Sequence, residues 1–176
     1  IVLLIFSYLY YIAGGPRYVV FILFSTLVTW LMALLIEKAE GKENHKGARK
    51  LLILGLILNF GMLGIVKYTN FAVENINALL HLNLRGIQLL LPLRISFYTF
   101  QSSGYLLDVY WKRCKAERHP LKYALFVSFF PQILQGPIGR YSRLADQLYA
   151  EHRFEGNNII RGFVRILWGF FKKMIL

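Results

Sequence analysis

The chain has 176 residues, 56% apolar and 17% charged, with a formal net charge of +12. Soluble domains carry about 25% charged and 45–50% apolar residues, and the apolar residues here gather in long uncharged runs, which argues against an ordinary soluble domain. The excess positive charge collects in short loops beside those runs; this argues against a nucleic-acid surface and for the positive-inside pattern of a membrane protein, with anionic lipid as counter-charge.

In chain order, residues 1–13 read as the end of a spanning helix, stopped by Gly14, Gly15 and Pro16. The sequence opens on Ile1 without the basic start of a secretory signal, and it stops at Leu176 just after a new apolar run begins. A single membrane domain truncated at both ends, with no separate soluble domain, is therefore expected. Residues 17–36 are the first complete span: Tyr18 to Ile36 is nineteen residues without a charge, and a hydrocarbon core about 30 Å thick needs roughly 20. Glu37 to Lys50 is a polar connection with five basic and three acidic residues. Residues 51–67 are the next span, with Lys67 snorkelling and Tyr68 at the interface. Gly55, Gly61 and Gly64 along it offer a small-residue face for close helix packing.

From Tyr68 to Gln88, leucines alternate with Asn77, His81, Asn83 and Arg85, which suits an interfacial segment. A third span covers 89–110, with Arg94 near one end and Asp108 near the other. A second basic loop, Trp111 to Lys122, holds the lone Cys114, which cannot form an internal disulfide. If all three spans cross, both basic loops (37–50 and 111–122) emerge on one side, assigned to the cytoplasm of a multi-pass protein. Tyr123 to Gly139 is uncharged for seventeen residues but carries Pro131, Gly136 and Pro137. Backbone groups freed by proline must be buried in protein or line a wet cavity. A broken or re-entrant segment near 128–139 is expected, a kinked span being the alternative. Residues 141–153 read as an amphipathic surface helix. A further helix starts at Ile159, with Arg161 and Arg165 on one face. The whole is an all-α, polytopic transmembrane bundle.

Three blocks carry a family likeness: Leu91-Pro92-Leu93-Arg94-Ile95-Ser96-Phe97-Tyr98-Thr99-Phe100-Gln101 with Gly104 to Tyr110; Ser128-Phe129-Phe130-Pro131-Gln132-Ile133-Leu134-Gln135-Gly136-Pro137-Ile138; and Gly162 followed by Trp168-Gly169-Phe170-Phe171-Lys172-Lys173. Together they resemble the membrane-bound O-acyltransferases, in the branch that includes the alginate O-acetyltransferase membrane subunit and the D-alanyl transferase of teichoic acid. The Gln135-Gly136-Pro137-Ile138 form leans to the alginate side. The resemblance implies a helical fold around a tunnel. An acyl thioester, such as acetyl-CoA or a carrier-protein thioester, enters from the cytoplasm. The acceptor is a hydroxyl of a cell-envelope polysaccharide, with an extracytoplasmic acyltransferase as a partner that often completes transfer. It also implies a bacterial inner-membrane location. The family's catalytic histidine falls beyond Leu176, and none of His45, His81, His119 and His152 matches its motif, so no catalytic residue is expected within the chain. No metal and no bound cofactor are expected.

Gln101, Gln132, Gln135 and Arg140 are the candidates for lining the tunnel or meeting substrate. The glutamines either touch substrate or support irregular backbone; Arg140 meets a carrier or CoA phosphate, or a lipid headgroup. Pro131, Gly136, Pro137 and Asp108 are structural candidates, Asp108 as a helix cap or ion pair. Arg94 replaces the family's usual glycine, and a charge central to a span costs about 2.5–3.5 kcal/mol on insertion scales; it either snorkels or pairs inside the bundle. The alternative readings are a transporter or channel piece and a non-catalytic scaffold of an acyl-transfer complex, although no internal repeat of the transporter kind is found.

Overall fold

The computed structural model describes residues 2–80, 95–135, 139–150 and 155–175; these are helical throughout apart from short connections, with no strand among them. Helix α1 (Val2–Ala13) is apolar apart from the buried Ser7 and its tyrosine hydroxyls, and ends at Gly14 and Gly15. Gly15 takes φ 133°, a conformation open to glycine, and Pro16 then opens α2 (Pro16–Gly41) at a position where its missing N–H costs nothing. At 26 residues α2 is about 39 Å long. The expected polar connection 37–50 shrinks to residues 42–44, because its glutamates and lysines propagate helix as well as the apolar run does. Asn44 starts α3 (His45–Leu80): its Oδ1 accepts the Gly47 N–H at 2.9 Å, an N-cap bond.

α3 has 36 residues and is about 54 Å long, well beyond one hydrocarbon thickness. The mixed stretch from Tyr68 therefore continues as helix to Leu80, and residues 81–88 lie outside the described residues. Of the third expected span only α4 (Ile95–Tyr110) is described; its 16 residues reach about 24 Å, and Arg94 and Pro92 lie outside the described residues. α4 closes with Lys112 at φ 58°, while the Arg113 N–H reaches the Asp108 carbonyl at 2.8 Å and the Lys112 N–H that of Val109 at 3.0 Å. This is a Schellman closure with lysine where glycine is usual.

α5 (Pro120–Ser128) and α6 (Phe130–Gln135) are separated by Phe129, whose ψ of 101° leaves the helical region. This turn lies within the 128–139 stretch where a break was expected. A proline ring clashes with the carbonyl four residues before it, so the chain turns at Phe129 and Pro131 sits harmlessly in the first turn of α6. Gly136 and Pro137 lie outside the described residues. α7 (Tyr141–Tyr149) covers most of the expected 141–153 helix, and residues 151–154 are likewise outside. α8 (Gly156–Ile175) contains no buried residue.

α2 is the central element, packed on α1, α3, α4 and α5; α7 rests on α5. Two segments, Val19–Gly41 and His45–Thr69, are long and apolar enough to cross a membrane. Their outward faces are apolar: Leu23, Phe24, Leu27, Leu31 and Leu35 on α2 and Ile53, Leu54, Ile57 and Ile65 on α3 are all exposed. Their inward faces carry polar groups. Ser25 Oγ donates to Asn59 Oδ1 at 2.6 Å, and Asn59 Nδ2 donates to Thr29 Oγ1 and the Gly55 carbonyl at 3.0 Å each. Apolar outside with hydrogen-bonded polar groups between helices is the packing logic of lipid. Gly55, Gly61 and Gly64 of α3 do not meet the same surroundings. A Cβ on Gly55 would stand 2.9 Å from Leu106 Cδ1, whereas Gly61 and Gly64 have open space. Gly61 lines an apolar groove of about 490 Å³ between α2 and α3.

Candidate functional site

α4 supplies most of the site. Gln101, Ser102, Ser103, Tyr105 and Asp108 are buried along it, because α2, α3 and α5 surround the helix. Gln101 Nε2 donates to the Phe126 carbonyl at 3.0 Å. That carbonyl belongs to the last turn of α5 and has no intrahelical donor once the chain breaks at Phe129. Gln101 thus bonds the backbone at this break and also lines a cavity of the site.

Asp108 is nearly buried and lies 3.6 Å from Arg113 Nη1. It is an ion-paired residue that also anchors the end of α4 through its carbonyl. Arg140 is the exposed N-cap of α7, its carbonyl accepting the N–H groups of Arg143 and Leu144. A cavity of about 250 Å³ joins these pieces: Gln101, Asp108, Arg113, Gly139, Arg140 and Tyr141 line it. Gln132 stands next to that wall, and a Cβ on Gly139 would collide with its Nε2. Only glycine lets the amide approach so closely. The structure therefore gathers Gln101, Asp108 and Arg140, with Gln132 adjoining. Gln135 ends α6, and its side chain lies outside the described residues, as do His81 and His152. His45 and His119 are exposed and line no part of the cavity; His45 Nδ1 lies 3.0 Å from both Glu40 oxygens.

Sequence reasoning passed over Glu117, Tyr105, Tyr141 and Arg113. The rings of Tyr105, Tyr123, Phe126 and Tyr141 form one cluster, Tyr141 lying 4.8 Å from Tyr105 and 4.9 Å from Phe126. Tyr141 Oη donates to Glu117 Oε2 at 2.7 Å, and Trp30 Nε1 donates to the Glu117 carbonyl at 2.8 Å. Burial raises the Glu117 carboxyl, but the His119 N–H, the Tyr141 hydroxyl and the Lys122 charge outweigh it and hold the group below the usual glutamate range. Burial, then the Glu117 contact, lifts the Tyr141 hydroxyl well above the usual phenol range. The tyrosine thus stays the donor and the carboxylate the acceptor. Burial pushes the Cys114 thiol up to about 11, with Asp108 and Glu37 adding to it, so it is a poor nucleophile. One signal could have found Glu117: it is the single acid in the basic loop from Trp111 to Lys122.

The two basic segments meet at one end of the bundle. Lys112 Nζ lies 3.0 Å from Glu40, Arg118 lies 3.8 Å from Glu37, and Glu37 Oε1 accepts the Ala116 N–H at 3.1 Å. The arrangement can hold a polar or anionic group between Arg113 and Arg140 beside the buried amide of Gln101. Neither described histidine is placed to take a proton from a group bound there.

No family model and no solved structure matches the chain. Curated relatives do. A protein of Pseudomonas syringae pv. tomato named "Probable alginate O-acetylase AlgI" is 34% identical across the whole chain, which covers 34% of that protein's length. The peptidoglycan O-acetyltransferase of Helicobacter pylori is 32% identical over 99% of the chain and 37% of its own length. The Azotobacter vinelandii "Probable alginate O-acetylase AlgI" is 35% identical over 74% of the chain and 27% of its own length. The chain spans about a third of the length of the first of these relatives. The motif blocks and the full-chain identity agree: over its whole length the chain is similar to proteins named alginate O-acetylase and peptidoglycan O-acetyltransferase, in line with the resemblance to the membrane-bound O-acyltransferases.

Proposed function

We propose that this chain is part of an integral membrane O-acyltransferase that moves an acetyl group from a thioester donor to hydroxyls of a cell-envelope polysaccharide. The observation that carries the reading is identity along the full chain to proteins named alginate O-acetylase and to one named peptidoglycan O-acetyltransferase. The cavity fits this role as a wall of the donor path: Arg140 and Arg113 offer charge-assisted hydrogen bonds to a phosphate of acetyl-CoA or of a carrier-protein thioester. The turn at Phe129, with the Gln101 bond closing it, is the near edge of a broken segment through 128–139 that faces the protein interior. α7 lies along the membrane surface. The protein is multi-pass in a bacterial inner membrane, with its basic segments in the cytoplasm. The reacting histidine is supplied from outside residues 1–176, since acyl transfer to a hydroxyl needs a base within hydrogen-bond reach, and an extracytoplasmic partner completes delivery to the polymer.

The test is made in the source organism with the full gene. Deletion is expected to abolish base-labile acetate on the envelope polysaccharide, and the intact gene to restore it. Restoration with Arg140→Ala is expected to be reduced about tenfold, the loss of one charge-assisted contact. Unchanged polysaccharide acetate after deletion, or a full-length gene without an intramembrane histidine after this segment, sinks the enzyme reading.

A further inference from the structure

Glu117 sits in the connection between α4 and α5, yet it is bonded to three helices outside that connection as well as within it. Its carbonyl accepts from Trp30 of α2 at 2.8 Å, and its N–H donates to Tyr105 Oη of α4 at 2.8 Å. One carboxylate oxygen accepts the His119 N–H at 2.9 Å, and the other accepts the Tyr141 hydroxyl of α7 at 2.7 Å. The backbone of Glu117 is thus clamped to the long helices, and its carboxylate is held out toward α7. Three of the neighbouring cations are paired elsewhere, Arg118 with Glu37, Lys112 with Glu40 and Arg113 with Asp108, while Lys122, whose charge acts on the carboxylate, has its Nζ over the Tyr149 ring at 5.2 Å. A carboxylate among five basic residues that nevertheless binds a tyrosine hydroxyl is not a simple charge neutraliser.

Tyr141 is the first residue of α7, and Gly139, Arg140 and Tyr141 are consecutive members of the cavity wall. α7 rests on the bundle mainly through α5. Its far end is held by Tyr149 Oη donating to the Lys122 carbonyl at 2.6 Å. Its near end is held by Tyr141. Resting on the acyl-transfer reading above for its kinetic consequence, we propose that Glu117 is a positioning residue: by pinning Tyr141 it fixes where Arg140 stands and so sets affinity for the acyl donor. Glu117 does not itself line the cavity, standing behind Tyr141 of its wall, and takes no part in bond making. Without its tether α7 pivots about Tyr149, and the Arg140 guanidinium is dispersed over many positions.

The experiment uses the full-length protein in inside-out membrane vesicles. In a background cleared of all native cysteines, Cys114 included, an Arg140→Cys thiol is labelled with an impermeant maleimide. Glu117→Ala and Tyr141→Phe are expected to change its labelling rate about tenfold, as loss of a hydrogen bond to a charged group does. Glu117→Gln is expected to leave the rate within about twofold, because its amide still receives the His119 N–H and donates to the tyrosine oxygen. With Arg140 in place and acetyl-CoA as donor, Glu117→Ala and Tyr141→Phe are expected to raise KM about tenfold with kcat within about twofold, and Glu117→Gln to recover the parent KM. Tyr141→Phe keeps the ring packing, so it reports on the tether even if Glu117→Ala fails to fold. Equal labelling of parent and Tyr141→Phe overturns the proposal, as does a fall in kcat at constant KM. Altered labelling in a protein whose parent transfers no acetyl group upholds the positioning and overturns the acyl-transfer reading instead.

Discussion

At the scale of single residues, polar side chains inside this apolar chain are placed where backbone or another helix needs them. Gln101 answers the carbonyl that the break at Phe129 leaves open, and Asn59 ties α3 to α2 through Ser25 and Thr29. Both are ordinary residues in the sequence; their roles depend on which groups the fold brings opposite them. Glu117 gives the clearest pH prediction. Its folded-state pKa lies below the ordinary value of about 4.3, so its contribution is fully present above that value and is lost as pH falls through the folded value. The detergent-solubilised full-length protein is expected to lose melting temperature between about pH 5 and pH 3, and Glu117→Gln to lose less over the same interval. An identical fall in both proteins contradicts the assignment of the carboxylate as the acceptor.

At the scale of helices, the points where one helix gives way to the next follow from the chain's local chemistry. Charged residues between the first two spans did not make a loop, because Glu and Lys are good helix formers, and the turn waited for Asn44 to cap α3. Pro131 turned the chain two residues ahead of itself, at Phe129. The glycines of α3 look equivalent in sequence, but only Gly55 meets α4 closely. Gly55→Val is accordingly expected to destabilise the α3–α4 contact by about 1–3 kcal/mol, the usual cost of overpacking. Gly61→Val and Gly64→Val, which enter open space, are expected to cost under about 1 kcal/mol. Denaturant titration in mild detergent checks the ranking. Equal losses at Gly55 and Gly64 contradict the close approach.

At the scale of the whole molecule, charge and hydropathy point one way. The outward faces of α2 and α3 are apolar, and the segments 37–50 and 111–122 meet through Glu37 and Glu40 at one end of the bundle. Those segments were expected on one side from charge counts alone; their contact is a separate, geometric fact. Cysteines placed at Lys42 and Lys115 in an otherwise Cys-free protein are expected both to be shielded from impermeant thiol reagents in intact cells. Both are expected to react once the membrane is permeabilised. Labelling of one and not the other in intact cells overturns the assignment of spans.

The amino-acid sequence by itself determined that the chain is helical and carries long apolar segments, because hydropathy and run length are local properties. Its motif blocks also carried the likeness to the membrane-bound O-acyltransferases, through the order of residues such as Ser128 to Ile138. Only the tertiary structure decided which polar residues meet. Gln101, Asp108 and Arg140 come from two helices separated by the whole of α5 and α6, yet they line one cavity. Trp30 finds the Glu117 carbonyl across 87 residues of chain. Such pairings depend on how α2, α4 and α7 pack, and no periodicity in the sequence encodes the distance between their side chains.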